Sequence, residues 1–278
     1  MANLLIRAEK PHRGYRPVVR PGDQGLEYLG LALVDLGEGD AWDFDTQASE
    51  WTVVILSGSI RARTGQRDLT DGPLGSRRSV FDGRASALYL PPGCKGRIES
   101  AVPARLAVCQ ARSDTGAAPT VITPDRVAVR TVGVHNWRRQ VHDIVDQRVA
   151  AGRLLVGETF NETGGWSSYP PHRHDEHRPP EEVNLEEVYY FQVEPPQGFG
   201  LQRVYTDDRR LDECYAVEHG DTVILPRGYH PVAAAPGYRL YYLWLMAGQG
   251  REMAPADDPA HHWLKAAETL LREAGGRA

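Results

Sequence analysis

The sequence predicts an all-β chain of two small barrels in tandem, closed by one short helix. Three observations carry that expectation. From Leu29 onward, short β-rich runs alternate with Gly, Pro and Asp turns, the spacing of sandwiches and barrels. The second half repeats the first at three anchors in the same order. His172-Arg173-His174, Glu187 and His230 fall on or beside strand-like runs of the second half, and together have the composition of a metal-ligand set.

Residues 1–25 carry Lys10, Pro11, Arg13, Gly14, Pro17 and Pro21 and read as an extended, mostly irregular lead-in. Strand-like runs follow at 29–36, 51–56, 59–63, 87–90 and 106–110. Residues 113–127, rich in Ser, Gly, Ala and Pro early in the run, read as the connection between two units, residues 1–120 and 121–278. A strand over 127–134 would open the second unit, and further runs lie at 153–160, 188–193, 200–205, 222–225 and 240–246. In the tail, Asp257-Asp258-Pro259 has the form of a helix start, an acidic cap before a proline at the first helical position. Trp263, Ala267, Leu270 and Leu271 share one face at helical spacing, and Gly275-Gly276 ends the run. The helix is expected to pack on a barrel without chemistry of its own.

The repeat sets Asp40-Ala41-Trp42 against Gly164-Gly165-Trp166, and Glu50-Trp51-Thr52 against Glu187-Val188-Tyr189. It also sets Leu90-Pro91-Pro92-Gly93-Cys94-Lys95 against Leu225-Pro226-Arg227-Gly228-Tyr229-His230. The first half thus keeps Glu50 but puts Lys95 where His230 stands, and Asp43-Phe44-Asp45 offers no His-x-His. A protonated amine is a poor ligand at neutral pH, so the first barrel is expected to be metal-free.

In the second half, His172 and His174 are two apart and point to one face of a strand. Gly220 through His230 reads as turn, short apolar strand, Pro/Gly turn and a histidine at the next strand start. The metal set is therefore His172, His174, Glu187 and His230, around one divalent ion; three imidazoles and a carboxylate suit Zn, Mn, Fe and Ni alike. The other histidines, His142 the least certain among them, read as solvated or capping residues. Between His174 and Glu187 runs Asp175 to Glu186, an acidic loop stiffened by Pro179-Pro180. It is either a solvated flap or a lid from which Glu181 or Glu182 moves protons. Tyr189 shares the face of Glu187 and is expected to point into the barrel; Arg203 and Tyr205 share a face on a nearby strand whose register is open.

Composition excludes several classes. Lys+Arg of 32 against Asp+Glu of 37 gives −5 with no long basic run, which argues against nucleic acid as a partner. The three cysteines are widely spaced without a CxxC, so neither a disulfide framework nor a thiolate zinc site is suggested, and a reducing cytoplasm fits. Leu4-Leu5-Ile6 is too short for a signal peptide, and no window approaches a membrane span. Oligomeric state is left open; a homo-oligomer is compatible with everything above.

Three His and one Glu on neighbouring barrel strands resemble the cupins, and the duplicated halves a bicupin. Two departures from the general cupin pattern stand out: only Tyr229 separates Gly228 from His230, and twelve residues separate His174 from Glu187. The resemblance narrows further at Arg153-Leu154-Leu155-Val156-Gly157-Glu158, at Trp166-Ser167-Ser168-Tyr169-Pro170-Pro171-His172-Arg173-His174-Asp175 and at Pro179-Pro180-Glu181-Glu182. With Leu185-Glu186-Glu187-Val188-Tyr189-Tyr190, Pro195-Pro196-Gln197-Gly198-Phe199 and Gln202-Arg203-Val204-Tyr205-Thr206-Asp207-Asp208, the second half is similar to the 5-deoxy-glucuronate isomerases, whose pattern includes the long loop. In the first half the likeness is looser, mainly Phe81-Asp82-Gly83 and Leu88-Tyr89-Leu90-Pro91-Pro92-Gly93. That resemblance implies a metal-dependent aldose–ketose isomerase of myo-inositol catabolism, converting 5-deoxy-D-glucuronate to 2-deoxy-5-keto-D-gluconate. The related 4-deoxy-L-threo-5-hexosulose-uronate ketol-isomerases share fold and metal set but have a short His-to-Glu gap. A uronate needs a cation for its carboxylate, and Arg203 is the first choice, with Tyr205 and Tyr189 as further substrate contacts. A metal-dependent oxidoreductase and a non-catalytic sugar-binding bicupin are the alternatives, since barrels of this kind host many functions.

Overall fold

Val53, Val54, Ile55 and Leu56 are consecutive and no more than 1% exposed, so the strand that carries them is covered on both faces. Val188 to Phe191 are likewise consecutive and buried. The computed structural model, which describes residues 3–275, shows what covers them. Val53 and Ile55 pack inside a first barrel with Val34, Ile98 and Leu106. Tyr189 and Phe191 pack inside a second with Val204, Val223 and Tyr242. The alternate residues, Val54 and Leu56 from one half and Val188 and Tyr190 from the other, meet in a third cluster shared between the barrels with Leu29, Leu31, Val156 and Leu243. Each large side chain so buried contributes roughly 1.5–3 kcal/mol, so the inter-barrel layer is as much a core as either interior.

The first sheet runs Gly14–Val19, Leu29–Leu36, Lys95–Arg112, Ser49–Thr64, Ala87–Leu90 and Thr120–Ile122, with Ala41–Asp45 and Arg67–Asp68 paired off the main path. The second runs Leu5–Ile6, Thr222–Leu225, Leu185–Glu194, Arg239–Gly248, Leu155–Asn161, Arg139–Val145 and Ala128–Val132. A smaller sheet of Trp166–Ser167, Val232–Ala234, Phe199–Tyr205 and Asp212–Glu218 faces it. The chain is thus the expected all-β pair of barrels with one C-terminal helix. The runs 51–56 and 59–63 belong to one strand, Ser49–Thr64, whose register against Lys95–Arg112 shifts at Ile55, Ser57 and Ser59. These bulges bend the ribbon round the barrel. Gly58 sits at the bend with φ +83°, where an added Cβ would lie 2.2 Å from the Pro103 carbonyl oxygen.

Three expectations are corrected. The lead-in is not irregular: Gly14–Val19 and Leu5–Ile6 are strands, and Leu5–Ile6 pairs with Thr222–Leu225 of the second sheet. The connecting segment contributes Thr120–Ile122 to the edge of the first sheet. The sheets therefore exchange ends: the first strand joins the second barrel, and the first barrel closes after residue 120. The helix Trp263–Gly275 is present, led in by a 3-10 turn, Pro259–His261, that Asp258 caps, its side chain accepting from the Ala260 N–H at 2.9 Å. Its buried face centres on Leu264, while Trp263 and Leu270 are 64% and 67% exposed. Gly276 lies outside the described residues. No helix among them is long and apolar enough to cross a membrane.

The internal repeat is real but slipped by one residue. Trp51 pairs with Leu90 and Gln110, as Glu187 pairs with Leu225 and Met246. Glu50 therefore corresponds to Glu186, and a one-residue slip exchanges the faces of a strand. Function at the barrel interface agrees. The Glu50 carboxylate accepts from the Gly152, Arg153 and Leu154 N–H groups at 2.6, 2.5 and 2.7 Å and from the Tyr89 hydroxyl at 2.7 Å. The Glu186 carboxylate accepts from the N–H groups of Glu27, Tyr28 (2.9 Å) and Leu29 (3.1 Å). Each barrel thus offers one buried carboxylate to the strand entrance of the other, and Arg153 lies over the Tyr28 ring at 4.7 Å where the two entrances meet.

Candidate metal centre

Three elements converge at the mouth of the second barrel. His172 lies in the strand His172–Arg173, paired with Ala256–Asp257, and His174 follows it. Glu187 is the third residue of Leu185–Glu194, on the face opposite Glu186. His230 follows the turn after Thr222–Leu225. That turn is fixed by Tyr229, whose backbone bridges Tyr205 at 2.9 and 2.8 Å, and by the Asp175 carboxylate, which accepts from the Gly228 N–H at 2.8 Å. Gly228 has φ +94° and leaves 2.7 Å between a built Cβ and the Tyr205 carbonyl oxygen, so only glycine fits the approach.

His174, Glu187 and His230 are all at least 95% buried, and their ligand atoms lie within 4.8 Å of one another. His174 Nε2 is 3.0 Å and His230 Nε2 3.2 Å from the same Glu187 Oε2. The Nδ1 atoms face away, each against a backbone carbonyl: Leu185 for His174, Gly228 for His230 at 2.8 Å, Pro170 for His172 at 3.4 Å. Such contacts fix the tautomer that presents the Nε2 lone pair inward. Burial pushes His172 and His230 down to about 3, so both rings are neutral at pH 7. His230 Nε2 is buried with no hydrogen-bond partner. Burial opposes protonation of His174 as well, yet the adjoining Glu187 carboxylate holds its pKa above the ordinary value. A buried carboxylate facing two imidazole nitrogens, one of them without a hydrogen-bond partner, is what a divalent cation would satisfy, so the residues fit a metal. His172 stands beside the cluster, its ring 4.9 Å from that of His230.

A pocket of about 270 Å³ opens on this cluster, lined by His172, Glu187, Tyr189, Tyr242, Asp257 and Lys265 among others. The Tyr189 hydroxyl lies 3.0 Å from Ser168 Oγ, and its ring stacks on Tyr242 at 4.4 Å. Tyr189 is thus where the sequence expects it, and burial drives its pKa well above 10. A larger cleft of about 960 Å³ lies on the first barrel, but Trp51 fills the place of Glu187 and no histidine lines it.

The other expected site residues are placed elsewhere. Glu182 is fully buried within its own loop, accepting from the Asp175 and Glu176 N–H groups at 2.7 and 3.0 Å and from Arg178 Nη2 at 3.2 Å. Its carboxylate organises the loop and does not line the pocket; Glu181 is exposed. Arg203 faces outward, paired with Asp212 at 2.8 Å through both Nε and Nη2. Tyr205 is buried, with its hydroxyl donating to Asp258 at 2.7 Å. His142 packs on Phe160 and lies 3.8 Å from Glu158, on the inter-barrel side. In their place the pocket gains Arg130 and Arg139 from the second sheet, Asp257 beside His172, and Lys265 and Glu268 from the C-terminal helix. The alternation Arg139, Val141 was readable as a strand face; nothing local joined it to residues a hundred positions away.

Two barrels, one with a buried His/Glu cluster at its mouth, define a bicupin with a candidate metal site in its second half. The KduI/IolB family model matches residues 4–264, and the chain belongs to that family. A 5-deoxy-glucuronate isomerase of Geobacillus thermodenitrificans is 37% identical over 275 residues, 98% of this chain and all of that protein. The crystal structure of an IolB-like protein from Salmonella typhimurium superposes with a TM-score of 0.90 at 36% identity, covering 95% of this chain and all of that one. An oxalate decarboxylase of Lactobacillus farciminis shares the fold alone, with a TM-score of 0.67 at 12% identity over 98% of this chain and 92% of that one.

Proposed function

We propose that this chain is a metal-dependent aldose–ketose isomerase that converts 5-deoxy-D-glucuronate to 2-deoxy-5-keto-D-gluconate. The end-to-end identity to 5-deoxy-glucuronate isomerases carries the reading, and the buried imidazole and carboxylate cluster at the pocket floor supports its chemistry. His174, Glu187 and His230, with His172 beside them, would hold one divalent ion of the Zn, Mn, Fe or Ni kind. Bound there, the ion would supply Lewis-acid polarisation of the substrate carbonyl. The chain's part is to bind, orient and move one proton. The C–H next to the aldehyde loses its proton to a carboxylate, leaving an enediolate. The same proton equivalent then returns to the former aldehyde carbon, and a hydroxyl proton shifts between the two oxygens. Asp257 is the carboxylate we assign to that transfer, because it lines the pocket beside His172 while Glu181 and Glu182 do not. Lys265 Nζ lies 2.5 Å from Asp257 and orients its carboxylate at the pocket wall. Tyr189, with its pKa raised, remains a hydroxyl and can hydrogen-bond substrate oxygens.

The purified protein should isomerise 5-deoxy-glucuronate, lose that activity on dialysis against a chelator and recover it with a divalent ion. Asp257→Asn should lower kcat by about 10²–10⁴-fold while metal content stays unchanged. An inactive chelated enzyme that no metal restores, or an Asp257→Asn variant at full kcat, would remove the metal or the base from this reading.

A further inference from the structure

Three cations line the pocket: Arg130, Arg139 and Lys265. Two are already neutralised. Arg130 pairs with Asp143 at 2.8 and 3.1 Å, and Lys265 pairs with Asp257 at 2.5 Å. Arg139 differs. Among the described residues, its side chain hydrogen-bonds only from Nη1, to the backbone carbonyls of Trp137 at 3.2 Å and Tyr169 at 3.0 Å. Among the described residues no carboxylate lies within ion-pair distance of it. Burial nevertheless pulls its pKa below the ordinary value. Other arginines withdrawn from solvent show how the fold normally meets that cost. Arg77 is paired with Glu158, and Arg251 places three nitrogens on the carbonyls of Asp146, Val149, Ala151 and Leu154. Arg139 does neither, and its Nε and Nη2 have no acceptor among the described residues. Arg139 is half-buried and lines the pocket, so these unused donors are open to an anion that enters it.

We propose that Arg139 is the anion site of the pocket, taking the carboxylate of an acyclic sugar acid whose carbonyl end lies at the His/Glu cluster. Nε and Nη2 form one edge of the planar fork, the geometry that pairs with both oxygens of a carboxylate. Selection for an acid over a neutral sugar thus resides on the strand Arg139–Val145, outside the histidine motif. This rests on the isomerase reading for the identity of the acid but not for the existence of the anion site.

The test compares two substrates, 5-deoxy-glucuronate and 5-deoxyglucose, which has a hydroxymethyl group in place of the carboxylate. Wild type should prefer the acid strongly in kcat/KM. Arg139→Gln should lose on the order of 100-fold or more on the acid, mainly through KM, from two charge-assisted hydrogen bonds. Activity on the neutral sugar should hardly change, so the acid-to-neutral ratio collapses toward one. Arg139→Lys keeps a point charge, should recover part of the ratio, and serves where the Gln variant folds poorly. Equal losses on both substrates in either variant, with the ratio intact, would overturn the proposal and leave Arg139 a structural tie for Trp137 and Tyr169. Should wild type turn over neither sugar, the isomerase reading fails, and calorimetric binding of D-glucuronate against D-glucose decides the anion site separately. A preference for glucuronate that Arg139→Gln abolishes would support it; no preference in wild type would overturn it.

Discussion

His174→Ala should purify almost free of metal and lose about 10²–10⁴-fold in kcat/KM, the worth of several kcal/mol of Lewis-acid stabilisation. His174 approaches Glu187 Oε2 at 3.0 Å and is aimed by the Leu185 carbonyl behind it. Removing an outer partner of a ligand typically costs 10–100-fold in metal affinity, and removing the ligand itself should exceed that. The fold should survive. The second barrel's interior is a separate apolar cluster of Tyr189, Phe191, Val204, Val223 and Leu240, and the Glu186 tie to Tyr28 and Leu29 is untouched. Elemental analysis and a melting curve on the same sample check both halves. Full metal occupancy in the variant would mean that His174 is not a ligand.

Arg77→Ala should be the most destabilising single change in the chain. Arg77, in the loop between Arg67–Asp68 and Ala87–Leu90, is 4% exposed. It donates to Glu158 of the second sheet at 2.6 and 3.2 Å and to the Ile55 carbonyl at 2.8 Å. Tyr241 completes the set, its hydroxyl donating to Glu158 at 2.9 Å. Taking away the cation strands a buried carboxylate, at a cost of about 3–5 kcal/mol, or roughly 6–20 °C in Tm for a chain of this size. Glu158→Leu combined with Arg77→Met should recover most of it, because neither charge is then left alone. The pH dependence has a definite sign. Burial opposes ionisation of Glu158, but the Arg77 charge holds its folded pKa below the ordinary value. The pair's contribution is therefore full above the unfolded Glu pKa of about 4 and is lost as pH falls through the depressed folded value. Wild type and Arg77→Ala should converge in stability in acid. A shift under about 2 °C at pH 7, below what 1 kcal/mol gives, would show that the barrels do not depend on this pair.

Strand positions were legible because strands covered on both faces read as unbroken apolar runs, such as Val53 to Leu56 and Val188 to Phe191. Which face each residue takes was not. Glu186 and Glu187 are chemically identical in sequence. Only the pairing of Glu187 with Leu225, against that of Trp51 with Leu90, reveals that Glu50 matches the former. The same ambiguity misplaced Arg203. Gln202 and Val204 point inward and leave Arg203 outside with Asp212. The acidic loop read as either a solvated flap or a lid because its carboxylates lie between two ligands, but Glu182 answers to loop N–H groups that sequence cannot locate. The tail helix was rotated in the reading because Trp263 is its largest apolar residue, whereas Leu264 is the one that finds a surface. Arg139 and Lys265 reach the pocket through tertiary contacts alone, from either side of the histidine motif.

Proton NMR of the metal-loaded protein with 5-deoxy-glucuronate, in deuterated water under argon, bears most directly on the claim that this cluster supports proton transfer and not oxidation. The account predicts a ketose isomeric with the substrate, formed as fast without oxygen as with it, and carrying deuterium on the former aldehyde carbon wherever the base exchanges with solvent. Strict dependence on oxygen, or a product two electrons more oxidised than the substrate, would contradict it.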